Sequence, residues 1–433
     1  MKMLMIHAWN ETERSYRGRF SSLFSYPSLT LAAMYPLIPD EIFETIDVVD
    51  EKSSRVCYDK IKYDLVIISA DTSSAITAYR HSEEFRKRGS YTVIGGYHAS
   101  AMPDEALLHC DTVIIGPAEN SLPKFCSDFR DGTPENIYKD YNVSAADFPV
   151  PVRNKQSKRH SLDIPGIIAD RGCDNHCRYC SMSIMWKSDP RPVDDVIDEL
   201  RSLRTRMVIF YDPNFFAKRE YAIKLMRAMQ PLKILWASNA TADFGNDHEL
   251  MQAAYDSGCR GVLLGLESLN SESLKNAAKR FNDSDRYKQI IDNLHSHGIA
   301  VNGCFVLGFD SDTEEELLKL PARIDNLGLD LCRFALLTPY PGTRYFDDYD
   351  KAGRIITKDW SQYTQKNVVF RPANMTPERL ESISRQVWHE TFSWRRIFKR
   401  TFSSPWKLKP YIFVLLGANI GFRFLGNDKE CRK

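Results

Sequence analysis

The chain has 433 residues, 43% hydrophobic and 27% charged, and its 58 basic against 57 acidic side chains give a formal charge of +1. That length exceeds one ordinary core and predicts two or three domains, while the hydrophobic share excludes a wholly disordered chain. The balanced charge gives no global ground for nucleic-acid binding, and ten cysteines over this length are too few for a disulfide scaffold.

The N-terminus, Met1-Lys2-Met3-Leu4-Met5-Ile6-His7, has an apolar run too short for a signal peptide and predicts a first strand. The expectation is a cytoplasmic chain with reduced thiols. Further strands are predicted at Thr45–Val49, Asp64–Ser69, Tyr91–Gly95 and Thr112–Ile115, with helical stretches such as Ser74–Arg88 and Pro103–Leu108 between them. This alternation predicts an α/β, doubly wound, Rossmann-like domain over residues 1–140, with ligands at the carboxyl ends of its strands. Small or polar residues gather in those loops: Ser69, Thr72 and Ser73, then Gly95, Gly96 and His98, then Gly116 and Glu119. The G-x-G-x-x-G fingerprint of a dinucleotide fold is missing after the first strand.

A joint at Phe148-Pro149-Val150-Pro151-Val152 lies in a predicted linker, 141–160. Six more βα units follow over 161–375, with strands near Gly166–Asp170, Met207–Tyr211, Ile234–Ala237, Gly261–Leu264, Ala300–Val306 and Leu331–Leu336. Such a series suggests a partial (β/α)6 TIM-like barrel, open on one side. Residues 376–433 are expected to form a helical extension. Its apolar run, Tyr411 to Leu425, is short of the roughly 20 residues that span a bilayer. From Thr391 to Lys433 there are ten Lys/Arg against two acids, interleaved with Trp394, Trp406 and several Phe. Two readings stay open: peripheral membrane contact through an interfacial helix, or a helix packed on the body with a solvated basic face.

Seven cysteines are scattered singly (Cys57, Cys110, Cys126, Cys259, Cys304, Cys332, Cys431) and are expected to be small hydrophobes or surface thiols. The other three, Cys173, Cys177 and Cys180, fall within eight residues directly after an apolar strand. Three thiolates at C-x3-C-x2-C spacing can hold three irons of a cubane and leave the fourth open. Zinc is the competing reading, with His176 or His160 as a further ligand, but the second C-x2-C knuckle usual in structural zinc sites is absent.

The motif, its place after the first barrel strand and Tyr179 before the last cysteine resemble the radical S-adenosylmethionine (SAM) superfamily. Pro27–Ala33, Gly95-Gly96-Tyr97-His98 and Ile115–Glu119 resemble the N-terminal half of its cobalamin-binding members. Ile209–Phe215, Gly265–Ser268, Gly308-Phe309-Asp310 and Thr338–Thr343 resemble the catalytic half, and the helical extension after Asp359-Trp360 is similar to hopanoid-methylase-like members. The resemblance implies a 4Fe-4S cluster on Cys173, Cys177 and Cys180. It implies SAM bound by Tyr179, Asp212, Asn214, Ser238, Asn239, Glu267 and Gly308, with Asp212 and Asn214 toward the methionine moiety and Glu267 at the ribose hydroxyls. Cobalamin would lie on the edge formed by Ser69, Thr72, Ser73, Gly95, Gly96, His98, Gly116 and Glu119. The D-x-H-x-x-G signature for a cobalt-ligating histidine is absent. The activity implied is cleavage of SAM to a 5′-deoxyadenosyl radical and cobalamin-dependent methylation of an unactivated carbon. Cyclisation, oxidation or C–C bond formation on the same scaffold, or a non-catalytic metal-binding role, are the alternatives. The partners implied are a small-molecule or lipid-like substrate and an external electron donor of flavodoxin or ferredoxin type, with no nucleic acid.

Overall fold

The computed structural model describes residues 1–15, 28–59, 61–155, 164–406, 409 and 411–425. Pro27, His160, Cys431 and the end of the basic tail lie outside the described residues.

The first sheet contains β1 (Lys2–His7), β2 (Thr45–Asp50), β3 (Leu65–Ser69), β4 (Tyr91–Gly95), β5 (Thr112–Ile115) and β6 (Ile137–Lys139). All pair in parallel, in the order β2-β1-β3-β4-β5-β6, so the chain changes winding direction between β1 and β3. The strands are nearly continuous apolar runs because helices cover both faces. Met3 and Met5 pack with Leu31 and Phe125 on one face, and Leu4 and Ile6 with Ala78 and Phe85 on the other. The three-residue β6 carries no sequence signal; of its side chains only Tyr138 is buried.

The second sheet contains β7 (Gly166–Ile167), β8 (Met207–Phe210), β9 (Leu235–Ala240), β10 (Cys259–Glu267), β11 (Ala300–Leu307) and β12 (Leu331–Leu336). Each pairs in parallel with the next in chain order, and the sheet stays open between β7 and β12. The strand β7 stops short of the expected Asp170 because the amides of Ala169 and Asp170 donate to the Asp212 carboxylate instead of a neighbouring strand. The pleat sorts side chains by face. Val208, Phe210, Trp236, Val262 and Leu264 are buried toward the helices, whereas Ile209, Ala237, Asn239, Leu263, Gly265, Asn302, Cys304 and Val306 are only half-buried and line the lumen.

The segment after the barrel is shared between the two halves. Phe346, Trp360, Tyr363 and Val369 belong to the core of the first sheet, not of the second. The Trp360 indole donates to Glu105 (2.7 Å) and the Asn10 amide to the Ser361 carbonyl (2.7 Å). Three helices follow, Pro377–Thr391, Trp394–Ser403 and Ile412–Leu425. The last is packed: Asn419 is fully buried, donates to the Asp330 carbonyl and accepts from Arg400. Among the described residues no helix is long and apolar enough to cross a membrane.

Candidate active site

The cysteine loop leaves the end of β7 and returns to it at a narrow neck. Asp170 Oδ1 accepts the amides of Gly172 (3.0 Å) and Asp189 (3.1 Å), and its Oδ2 accepts the Ser188 hydroxyl (2.5 Å). Gly172 is required there, since a Cβ would lie 1.7 Å from the Lys187 carbonyl oxygen. Gly172→Ala should therefore cost about 3 kcal/mol, the upper end for overpacking. Denaturant unfolding measures this, and a variant as stable as the parent would show that the neck yields.

Asp212 forms the second clamp on this neck. Its two oxygens each accept one amide, from Ala169 and Asp170 at 2.9 Å, and burial pushes its carboxyl up to about 8. With 1% exposure and both oxygens engaged, Asp212 holds strand ends together, and the expectation that it meets the methionine moiety is withdrawn. Asn214 fits that expectation better: it is buried, its Nδ2 donates to Thr241, and its Oδ1 has no hydrogen-bond partner among the described residues.

Within the loop, Cys177 is buried and Cys173 and Cys180 are half-buried. A turn brings the Cys180 amide to the Cys177 carbonyl (3.1 Å). Arg178 fastens the loop from outside, through its amide to the Ala277 carbonyl and through its guanidinium to the Asn276 carbonyl and Asp348. Burial pushes the Cys177 thiol up to about 11; the other two thiols add to this and Lys279 opposes it. All three thiols are thus within electrostatic reach of one another. Among the described residues no three ligating side chains already close into a metal cage. The donor set itself, three thiols on one loop with His176 exposed, suits a cluster with one open iron better than tetrahedral zinc.

Beside Cys177 lies a buried ion pair. Glu267 ends β10 in a left-handed conformation (φ 65°), after a bulge that interrupts pairing with β11. Its Oε1 accepts from Lys279 Nζ at 2.6 Å, with both side chains buried. Gly265 makes the room, since a Cβ there would be 2.6 Å from both charged atoms. Burial works against the Lys279 ammonium, yet Glu267 and the thiols of Cys177 and Cys180 hold its pKa above the usual lysine value. Tyr179 stands by the same carboxylate: burial, then the Glu267 charge, push its phenol up, and its ring meets Phe309 edge-on at 6.1 Å. Lys279 was not anticipated. Its partner is twelve residues away across the short helix Ser271–Asn276, a relation that no local pattern records.

The remaining lumen positions divide by strand parity. Asn239 lies on the lumen face and donates to the Asp212 carbonyl (2.8 Å). Ser238, one residue earlier, shares the helix-facing side with Trp236, whose indole donates to Ser257. The pleat therefore turns Ser238 away from the lumen, a correction to its predicted role. Asn302 and Cys304 replace it there, the latter with its thiol pushed up to about 12 by burial. Gly308 (φ 108°) makes a turn, and Leu380 fills the space a Cβ would need, so the close approach to SAM expected of it is not open at that point.

Asp312 secures this turn. Its Oδ2 accepts the amides of Gly308 (2.9 Å) and Phe309 (3.0 Å), its Oδ1 accepts from Ser273, and burial pushes it up to about 6. The folded state thus holds this proton more tightly than an unfolded chain, whose aspartate titrates near 3.9. The contribution to stability is fully present below about pH 4 and is lost as pH rises through 6. Asp312→Asn can keep all three contacts, with its amide donating to Ser273, and should flatten that slope in denaturant titrations between these pH values. An unchanged slope would assign the dependence to other groups.

On the first sheet, the predicted edge residues mostly hold one another. Ser73 Oγ donates to Asp71, and Thr72 is buried with a hydroxyl that has no hydrogen-bond partner among the described residues. Ser69 and Gly95 end β3 and β4, their carbonyls accepting from Ala8 and Ala70. Gly96 (φ 100°) permits contact with Ala70, whose carbonyl oxygen would sit 2.5 Å from a Cβ, and Gly116 lies under the Tyr141 ring. Two of the predicted residues are engaged elsewhere. His98 is buried against Trp360 (rings 5.1 Å apart) with Nε2 toward Glu105, which removes it from any open ligand edge. Glu119 pairs with Arg171, the residue that precedes the cysteine neck. Tyr97, unpredicted as a site residue, joins the halves: its hydroxyl donates to the Pro341 carbonyl (2.7 Å), and burial followed by the Cys180 thiol push its phenol up. The carboxyl edge of the first sheet therefore faces the cysteine loop.

Comparison with known proteins agrees with this arrangement. Residues 167–321 match the radical SAM superfamily model. Over 386 residues the chain is 29% identical to bacteriochlorophyllide d C-12(1)-methyltransferase of Chlorobaculum tepidum, covering 86% of this chain and 84% of that protein. It is 24% identical over 224 residues to hopanoid C-2 methylase of Rhodopseudomonas palustris, 49% of this chain and 42% of that protein. Among solved structures, the radical SAM methyltransferase TsrM of Kitasatospora setae, with cobalamin and a 4Fe-4S cluster bound, superposes with a TM-score of 0.69. That alignment covers 98% of this chain and 99% of TsrM at 14% identity, and it shows a shared fold.

Proposed function

We propose that this chain, a radical SAM enzyme by the domain it carries at residues 167–321, methylates an unactivated carbon of an apolar small molecule with the aid of cobalamin. The observation that carries this reading is the meeting of the cysteine neck with the carboxyl edge of the first sheet, where Arg171 pairs with Glu119. A reaction that draws on two cofactors needs such a juxtaposition. The relatives act on a bacteriochlorophyllide and a hopanoid, which supports an apolar polycyclic substrate.

When bound, the 4Fe-4S cluster supplies the electron that cleaves SAM, and cobalamin carries the methyl group. Cys173, Cys177 and Cys180 would hold the cluster. Asn214 and Asn239 would offer amides to the amino-acid end of SAM, and Glu267 and Lys279 would offer a carboxylate and an ammonium to the same ligand. The loops after β3, β4 and β5 would receive the corrinoid, and His98 is left out of the cobalt ligands. Exclusion of water from the lumen once substrate is bound would protect a reactive radical. An external flavodoxin- or ferredoxin-type donor would supply electrons at the cysteine loop, and the basic, aromatic C-terminal segment would bring the enzyme to a lipid surface.

Anaerobic reconstitution with iron, sulfide and cobalamin tests the reading. The expected result is 5′-deoxyadenosine from SAM under reduction, a corrinoid absorption spectrum that survives gel filtration, and a product heavier by one methylene unit. Formation of 5′-deoxyadenosine without retained corrinoid would overturn methylation while leaving the radical chemistry standing.

A further inference from the structure

The helix Trp394–Ser403 has two faces of opposite character. Its inner face is clamped: Ile397, Arg400 and Thr401 are buried, Arg400 donates to Asn419 Oδ1 (2.8 Å) and the Thr391 carbonyl (2.9 Å), and Arg396 pairs with Asp325. On its outer face Trp394, Phe398 and Phe402 are 44%, 46% and 62% exposed. They are spaced by four residues, and successive rings stack at 6.1 and 6.4 Å. Arg395 and Lys399 are exposed on the same helix and pair with no acid among the described residues. On the following helix Phe413 and Val414 are 76% and 60% exposed, although their neighbour Leu415 is buried.

A helix held this firmly does not turn its aromatic residues outward for want of a core. Water-exposed rings in a row are unfavourable by their apolar area unless something covers them. Aromatic rings beside exposed cations match the interface of an anionic bilayer, where rings sit among the headgroups and Lys and Arg near the surface are attracted to the lipid charge. A second protein copy suits the patch less well, because Arg395 and Lys399 would be desolvated in its middle without partners. We propose that this face docks on an anionic lipid surface, with Phe398 and Phe402 entering the headgroup region and Arg395 and Lys399 meeting lipid phosphates. The inference goes beyond the chemistry at the cysteine loop and holds whatever reaction occurs there.

Flotation of the full-length chain with phosphatidylcholine vesicles, and with vesicles also containing phosphatidylglycerol, tests it. The wild type should float with the anionic vesicles only, and high salt should release it. Phe398→Ser with Phe402→Ser should lower partitioning at least about tenfold, and Arg395→Glu with Lys399→Glu about tenfold, both with unchanged melting temperature. Trp394 is kept because the Arg423 guanidinium stacks on it at 5.1 Å. Absence of flotation, or equal flotation of the phenylalanine variant, overturns the proposal. A phenylalanine variant that turns a dimer into a monomer in sedimentation velocity, with flotation unaltered, overturns it in favour of a second copy.

Discussion

Cys177→Ala should abolish 5′-deoxyadenosine formation from SAM and remove the iron–sulfur absorption of the reconstituted protein. Cys177 is the most buried of the three thiols and the one whose surroundings include both others, Glu267 and Lys279. An alanine leaves two thiols for three irons, and the neighbouring carboxylate, Glu267, is held by Lys279. Changes to residues that merely orient ligands cost tenfold to a hundredfold, so loss of a ligand should exceed about a hundredfold. Cys259→Ala is the control. That thiol is fully buried in β10 and its loss should cost stability through packing while turnover persists. If Cys177→Ala kept its iron and its turnover, the site would have to be sought elsewhere.

Lys279→Met should destabilise the fold by about 3–5 kcal/mol, the cost of leaving one member of a buried pair uncompensated. The side chains nearly match in length, so the loss is one of charge and hydrogen bonding rather than of volume. Adding Glu267→Gln should recover most of that stability, because the uncompensated carboxylate is then gone. The double variant separates two roles for the pair. If Glu267 and Lys279 only fasten β10 to the following loop, the stable double variant binds SAM as the wild type does. If they meet SAM, equilibrium dialysis should show at least about tenfold weaker binding, as expected where buried polar contacts are lost. Wild-type affinity in the double variant would remove both residues from the SAM pocket.

The sheets were legible in the sequence because parallel strands covered on both faces are written as short apolar runs, and Tyr91–Gly95, Thr112–Ile115 and Leu331–Leu336 appear with the bounds expected. Departures have physical causes. The strand β7 is cut short by the Asp212 carboxylate, 42 residues beyond Asp170 in sequence, and β6 is too short to carry a pattern. The cysteine triad was legible because its chemistry is local. Ser238 was misplaced because a strand's parity depends on its register with neighbours, and Asp212 because a carboxylate at a strand end looks the same whether it faces a ligand or two amides. Lys279 and Tyr97 were missed for a common reason: each matters through a contact made only after folding, across an intervening helix or between the two halves.

The Arg171–Glu119 pair bears on how such enzymes could be recombined. Arg171 immediately precedes the cysteine neck, its guanidinium lies over the Phe148 ring at 4.4 Å, and its carboxylate partner is supplied by the helix after β5. Together with Trp360 seated in the core of the first sheet, this makes the two halves poor modules. A chimaera that grafts this barrel onto another N-terminal half would inherit a mostly buried arginine beside its cysteine loop with nothing to neutralise it. Such a swap should succeed only if an acid at the position of Glu119 and an acceptor at that of Glu105 travel with the barrel, which makes those two carboxylates the practical boundary markers for exchange.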